Sequence, residues 1–111
     1  MKILIALDEN KNLDSKLSEH FGNCSFFAIY STDSKNLEII PNIIDHSKEK
    51  TPVEQIQELD IDAVFTKGIG KKAIDLFSKT SILLKTENFN ILKEVIENID
   101  YLKDIKQSCD H

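Results

Sequence analysis

Residues 18–30 are SEHFGNCSFFAIY, a stretch that joins a polar loop to an apolar run and on which the prediction of the fold depends. Phe26 to Tyr30 has the aromatic and aliphatic residues typical of a β-strand. His20, Gly22 and Cys24 come immediately before this strand. We therefore expect reactive side chains at the place where a loop enters a sheet.

Further strands are predicted on both sides of this stretch. Ile3 to Leu7 is a continuous apolar run, which is typical of a central strand covered on both faces. Leu37 to Ile40 is predicted to pair with Phe26 to Tyr30 as a hairpin, because residues 31–36 are rich in turn formers. Two short apolar runs, Ala63 to Phe65 and Ile82 to Leu84, predict two more strands.

Three helices are predicted in the second half of the chain. Thr51, Pro52 and Glu54 form a capping-box pattern at the start of the first helix. The second helix is predicted around Ala73 to Phe77, and the third from Asn88 onward, by their apolar spacing. The order of elements predicts a three-layer α/β/α domain with a mixed sheet of about five strands.

Length and composition predict one ordinary globular domain spanning residues 1–111. The 111 residues are enough for one core, and we expect the polar end, from about residue 103, to fray. The monomer is the default expectation, with a weak homodimer as the alternative. Asp8 and Glu9 end the first apolar run too early for a signal sequence or a membrane span, so we expect a cytoplasmic protein without a membrane partner.

The charge of the chain argues against one class of partner. Fourteen basic and nineteen acidic residues give a formal net charge of −5, whereas binding along a phosphate backbone requires a clustered basic surface. We therefore expect no nucleic-acid partner. The two cysteines are far apart in sequence and form no C-x-x-C pair, so they predict neither a disulfide framework nor a zinc ribbon.

The pattern His-Phe-Gly-x-Cys-x-x-Phe-x-Ile-Tyr at residues 20–30, followed at a distance by Gly-Ile-Gly at residues 68–70, resembles the dinitrogenase iron-molybdenum cofactor biosynthesis family. The resemblance extends over nearly the whole chain. It implies a ribonuclease-H-like arrangement of the sheet. It also implies a role as a carrier of nitrogenase cofactor precursors, with the proteins that donate or accept the cluster as partners.

His20 and Cys24 are the first candidate metal ligands, because imidazole and thiolate suit iron, iron-sulfur clusters and zinc. The alternative is that Cys24 is a small buried apolar residue and that His20 only bonds within its loop. His46 lies in the loop from Pro41 to Lys50. Relatives in the resembled family often carry a histidine near this position, and the alternative is a solvated loop histidine.

The end of the chain is the second candidate metal site. Cys109, Asp110 and His111 bring ligand-type groups together. Such a tail could fold over a soft metal or a delivered cluster. The alternative is a tail that takes no part in binding.

Gly68, Gly70 and Lys71 form a candidate anion site between a strand and a helix. The segment GIGKKA fits the G-x-G-x-x-G/A dinucleotide pattern, but too little chain follows for the usual dinucleotide fold. Exposed N–H groups at a helix start still favour an anionic group. The alternative is that the glycines only permit a tight turn.

The leading hypothesis is a small non-enzymatic carrier or chaperone of an iron-sulfur or iron-molybdenum cofactor precursor. The alternative is a regulatory or protein-interaction module that binds a small anion and no metal. A nucleotide-using enzyme is a weaker third hypothesis. Nuclease chemistry is disfavoured, because it needs clustered carboxylates for magnesium and Asp8 is the only well-placed one.

Overall fold

The computed structural model describes residues 1–45 and 49–105 of the chain. These residues form an α/β domain built on one sheet. The elements in chain order are β1 (Lys2–Leu7), β2 (Phe26–Ser31), β3 (Asn36–Pro41), α1 (Pro52–Gln57), β4 (Ala63–Phe65), α2 (Lys71–Ser78), β5 (Leu83–Thr86), α3 (Leu92–Glu97), a 3₁₀ turn (Ile99–Tyr101) and β6 (Lys103–Asp104).

The sheet is mixed and has the strand order β3-β2-β1-β4-β5-β6. Strands β1, β4 and β5 are parallel, whereas β2 is antiparallel to both β1 and β3. The predicted hairpin of β2 and β3 is thus confirmed, as is the mixed sheet with helices. The ribonuclease-H-like classification stays a prediction.

The predicted number of about five strands is wrong, because residues 1–45 and 49–105 already form a sheet of six. The sixth, β6, pairs antiparallel with β5 where the chain was expected to fray. It consists only of Lys103 and Asp104, and an ion pair joins Asp104 to Lys85 on β5. Such a short polar strand has no apolar run that could predict it from sequence.

The side chains of β1 alternate between two apolar clusters on opposite faces of the sheet. Leu4 and Ala6 belong to one cluster, and Ile3, Ile5 and Leu7 belong to the other. The first cluster includes Val53 and Ile56 of α1 and Phe77 of α2, whereas the second includes Leu92 and Val95 of α3. Helices therefore cover both faces, and β1 lies at the centre with five of its residues buried.

Helix α1 begins as the sequence predicts. Thr51 Oγ1 accepts a hydrogen bond from Glu54 N at 3.1 Å, and Glu54 Oε1 accepts one from Thr51 N at 2.9 Å. Helix α3 begins later than the apolar spacing suggests, at Leu92. The reason is that the N–H groups of Asn90 and Ile91 donate to the Glu94 carboxylate, at 2.8 and 3.1 Å.

The long segment after β1 is more tightly packed than a polar loop would suggest. Leu17 is buried in the same cluster as α3, and the Ser15 side chain is also buried. Ser18 N donates to Ala6 O at 2.9 Å, which ties the segment back to β1. Across residues 1–45 and 49–105, no helix is long and apolar enough to cross a membrane.

Candidate functional site

Three loops meet at the edge of the sheet where the parallel strands end. The loop before β2 approaches the loop after β4 through a hydrogen bond from Phe21 N to Gly68 O at 3.2 Å. It approaches the loop after β3 through Asn42, whose Nδ2 donates to Gly22 O at 3.0 Å and to Cys24 O at 2.8 Å. This edge is a usual place for ligand sites in sheets with parallel strands.

His20 lies at this edge with an exposed side chain and a fixed backbone. Its N–H donates to Ser18 Oγ at 3.1 Å, and the Ser18 side chain is only 1% exposed. The imidazole can therefore reach a ligand from solvent while its main chain is held by a buried hydroxyl. This arrangement suits a coordinating side chain.

Phe21 anchors the loop that carries His20. Its ring packs edge-on against Phe77 of α2, with 5.5 Å between centroids and an interplanar angle of 67°. It also lies near Phe27 of β2, with 6.3 Å between centroids. The aromatic residue of the His-Phe-Gly pattern thus belongs to the packing of the domain.

Gly68 lacks a side chain because another loop occupies the space. A Cβ built at Gly68 would lie 2.2 Å from Glu19 O, a distance that real contacts do not reach. Its carbonyl accepts from Phe21 N and also from Thr66 Oγ1, the latter at 2.8 Å. Gly68 therefore joins two loops, a reason for glycine that neither the anion-site nor the tight-turn interpretation contained.

Gly70 and Lys71 have open surroundings. Gly70 is the N-cap of α2 with φ −72° and ψ 155°, and a Cβ built there meets no atom within 4 Å. Among the described residues, no side chain caps this end of α2. Lys71 and Lys72 are both exposed at the first turn. Of the three predicted anion-binding residues, Gly70 lines a cleft at the start of α2, whereas Gly68 packs against Glu19.

The cleft has a volume of 340 Å³ and lies between the Phe21 loop and the starts of α1 and α2. Apolar side chains form most of its wall, with Lys72 and Thr51 as the polar groups. Its lining residues are Phe21, Gly22, Thr51, Pro52, Val53, Gly70, Lys72, Ala73 and Leu76.

Cys24 lies at the same edge but faces the core. It is 5% exposed and belongs to the apolar cluster that contains Leu4 and Phe27. Burial raises the pKa of the thiol above its ordinary value, although hydrogen bonds from nearby backbone groups act in the opposite direction. A buried, protonated thiol is a weak metal ligand, because the thiolate is the ligating form.

Asn42 and Gln55 are polar residues of this edge that the sequence analysis missed. Gln55 is 5% exposed; its Nε2 donates to Asp45 O at 3.0 Å and to Lys50 O at 3.1 Å. Its Oε1 accepts from Asp45 N at 2.8 Å. Gln55 does not share the i, i+3 spacing of Val53 and Ile56, so helical periodicity did not single it out.

The described residues do not form a chelating site. Within residues 1–45 and 49–105, no group of three or more His, Cys, Asp or Glu side chains is placed to hold a metal ion. His46 and Cys109 lie outside the described residues, as do Asp110 and His111. In the described part, His20 is therefore the exposed imidazole available to a metal, and Cys24 is the buried thiol.

The fold and this edge define a small α/β domain with a cleft lined by Phe21, the residue that follows the exposed His20 in the chain. The chain belongs to the dinitrogenase iron-molybdenum cofactor family, whose sequence profile matches residues 1–100. The family assignment made from the sequence is thus confirmed. An uncharacterized protein of Methanocaldococcus jannaschii is 31% identical over 103 residues, which cover 87% of this chain and 83% of that protein.

Solved structures share the fold. The apo form of the orange protein from Desulfovibrio gigas has a TM-score of 0.78 at 12% identity and covers 96% of this chain and 93% of its own. A Thermotoga protein described as a candidate NifB has a TM-score of 0.75 at 18% identity, with coverage of 96% and 97%. At these identities the likeness concerns the fold alone.

Proposed function

We propose that this protein is a non-enzymatic carrier or chaperone that binds an iron-sulfur or iron-molybdenum cofactor precursor beside His20. Membership of the dinitrogenase iron-molybdenum cofactor family is the observation that carries the proposal. The exposed imidazole of His20 and the cleft lined by the adjacent residue Phe21 support the location. Proteins that donate or accept the cluster are the proposed partners.

The chemistry of the described donors suits a transferable cargo. An imidazole nitrogen is a good ligand for iron, and a pre-formed cluster brings its own sulfide ligands. A cargo held by few protein bonds can be passed on, as a carrier requires. Cys24 is buried and the pKa of its thiol is raised, which supports His20 as the first candidate ligand.

Anaerobic cluster binding tests the proposal. The wild type, His20→Ala, Cys24→Ala and the neighbouring exposed control Glu19→Ala are each mixed with a [4Fe–4S] cluster that carries mercaptoethanol thiolates. We expect cluster retention, measured by absorption and EPR after gel filtration, to fall in His20→Ala and to persist in Glu19→Ala. A wild type that retains no cluster would contradict the carrier function.

Two further variants concern the candidates outside the described residues. His46→Ala and Cys109→Ala are tested in the same assay. Retention that depends on either residue would add a second ligand to the site. Retention that depends on both and not on His20 would move the site away from the cleft.

The second candidate function is an interaction module that binds a small anion and no metal. The start of α2 favours it, because no side chain of the described part of the protein caps this helix and because Lys71 and Lys72 are exposed there. Titration with phosphate, followed by amide NMR, distinguishes the two functions. Shifts at Gly70 and Lys71 without any cluster retention would favour the interaction module.

A further inference from the structure

Thr66 is a buried polar residue directly after β4. Thr66 is 0% exposed. Its N–H donates to Lys85 O at 3.2 Å, and its Oγ1 donates to Gly68 O at 2.8 Å. The Thr66 hydroxyl therefore donates its hydrogen bond to a carbonyl of the loop that follows β4.

The Gly68 carbonyl also accepts a hydrogen bond from the loop that carries His20. Phe21 N donates to Gly68 O at 3.2 Å, and Glu19 O lies 2.2 Å from the position that a Cβ of residue 68 would take. The Thr66 hydroxyl and the Phe21 amide thus share one acceptor. Because a carbonyl oxygen has two lone pairs, the first bond orients the oxygen for the second.

Ser18 restrains the main chain on the N-terminal side of His20. Its N–H donates to Ala6 O at 2.9 Å, and its Oγ accepts from His20 N at 3.1 Å. His20 therefore sits between two fixed points, one tied to the end of β1 and one tied through Gly68 to the end of β4. Both ties use buried hydroxyl groups, while the imidazole itself is exposed.

We propose that Thr66 and Ser18 are positioning residues that fix the main chain at His20 and Phe21 and thereby place the His20 imidazole for binding to the cluster. This inference rests on the proposed function. In the binding step the neutral imidazole nitrogen forms a bond to one iron, and the thiolate on that iron leaves to solvent. No electron is transferred. The two hydroxyl groups hold the loop in place before the cluster binds. The loop therefore loses less conformational entropy on binding.

The test compares variants that differ by a hydroxyl. Thr66→Val removes the Thr66 hydroxyl at nearly constant volume, and Thr66→Ser restores it. Thr80→Val is the matched control, because Thr80 Oγ1 also donates to a backbone carbonyl, that of Phe77 at 2.7 Å, beyond the far end of α2. The probe is the mercaptoethanol-ligated [4Fe–4S] cluster under anaerobic conditions.

We expect Thr66→Val to bind the probe about tenfold more weakly than the wild type, the effect of about one hydrogen bond. Thr66→Ser and Thr80→Val should bind as the wild type does. In a His20→Ala background, Thr66→Val should cause no further loss, because the hydroxyl acts through His20. An equal loss in both backgrounds would overturn the inference.

Amide hydrogen exchange tests the positioning role without requiring that the protein binds a cluster. The Phe21 amide should exchange about tenfold faster in Thr66→Val than in Thr80→Val or Thr66→Ser. Unchanged exchange in Thr66→Val would overturn the positioning role, even if the wild type binds the cluster. Faster exchange in a protein that binds no cluster would support the loop restraint and contradict the carrier function.

Discussion

Gly68 and Gly70 stand two residues apart, yet a methyl group added at each meets different surroundings. At Gly68 it would lie 2.2 Å from Glu19 O, whereas at Gly70 it meets no atom within 4 Å. Gly70 also has φ −72°, which every L-residue adopts readily. The first glycine is thus required for packing between loops, and the second leaves the start of α2 open.

This difference predicts opposite effects on stability. We expect Gly68→Ala to lower the free energy of unfolding by about 1–3 kcal/mol, because the loop of Glu19 must shift. Gly70→Ser should raise it by about 0.5 kcal/mol, because serine caps a helix well and restricts the unfolded chain. Urea denaturation of both variants measures the change. Equal destabilisation by the two substitutions would contradict the assignment of their roles.

Gly70→Ser also bears on the anion-binding alternative. The added hydroxyl would accept from the first N–H groups of α2 and so compete with a bound anion. Phosphate shifts at Lys71 should then weaken in a variant that is no less stable than the wild type. Undiminished shifts would place the anion elsewhere.

The burial of Cys24 makes a prediction about its reactivity. Because its side chain is 5% exposed and its pKa is raised, the thiol should react slowly with a disulfide reagent at pH 7 to 8. The measurement uses Cys109→Ser, so that Cys24 is the single thiol. We expect rapid, stoichiometric reaction only after guanidinium is added. Fast reaction of the folded Cys109→Ser variant would make Cys24 a candidate thiolate ligand again.

At the scale of elements, α1 organises the loop after β3 through a buried side chain. Gln55 donates to the carbonyls of Asp45 and Lys50 and accepts from Asp45 N. Both sides of the segment that contains His46 are therefore tied to one residue of α1. Helix α1 therefore fixes the conformation of the loop after β3 through Gln55, in addition to packing its apolar residues in the core.

Gln55→Leu should lower the free energy of unfolding by about 1–3 kcal/mol, because it removes the three hydrogen bonds that the buried Gln55 side chain makes with Asp45 and Lys50. The control is Gln57→Leu, which changes an exposed residue of the same helix and should have a much smaller effect. Denaturation curves and the amide shifts of Asp45 and Lys50 measure the outcome. Equal stability of the two variants would show that the loop does not depend on Gln55.

At the scale of the whole molecule, the carboxylates at the starts of α1 and α3 make the stability of the protein depend on pH. Hydrogen bonds from the backbone N–H of Thr51 lower the pKa of Glu54, and those from Asn90 and Ile91 lower the pKa of Glu94. The ionised carboxylates therefore stabilise the folded state above the unfolded-state pKa of about 4.3. This contribution is lost as the pH falls through the lowered folded-state values.

We expect the urea midpoint of the wild type to fall between pH 5 and pH 3 more steeply than that of Glu54→Gln/Glu94→Gln. At pH 7 the double variant should be the less stable protein. The exposed Glu97→Gln is the control, and its pH dependence should match that of the wild type. Parallel curves for wild type and double variant would show that the two carboxylates do not contribute.

Much of the fold was predictable because its signals are local. The apolar run of β1, the turn formers between β2 and β3 and the capping box of α1 act between residues close in sequence. Periodicity and capping depend on such neighbours, so these elements follow from the sequence. The His-Phe-Gly stretch likewise determined the family, which the match over residues 1–100 confirms.

Only the tertiary structure decided the roles of single residues at the candidate site. Glu19 and Gly68 are distant in sequence, and their close approach depends on how the loops after β1 and β4 pack. The same packing buries Cys24, leaves His20 exposed and places Thr66 beneath the shared carbonyl of Gly68. These properties depend on neighbours in space, which a residue's type and spacing do not specify.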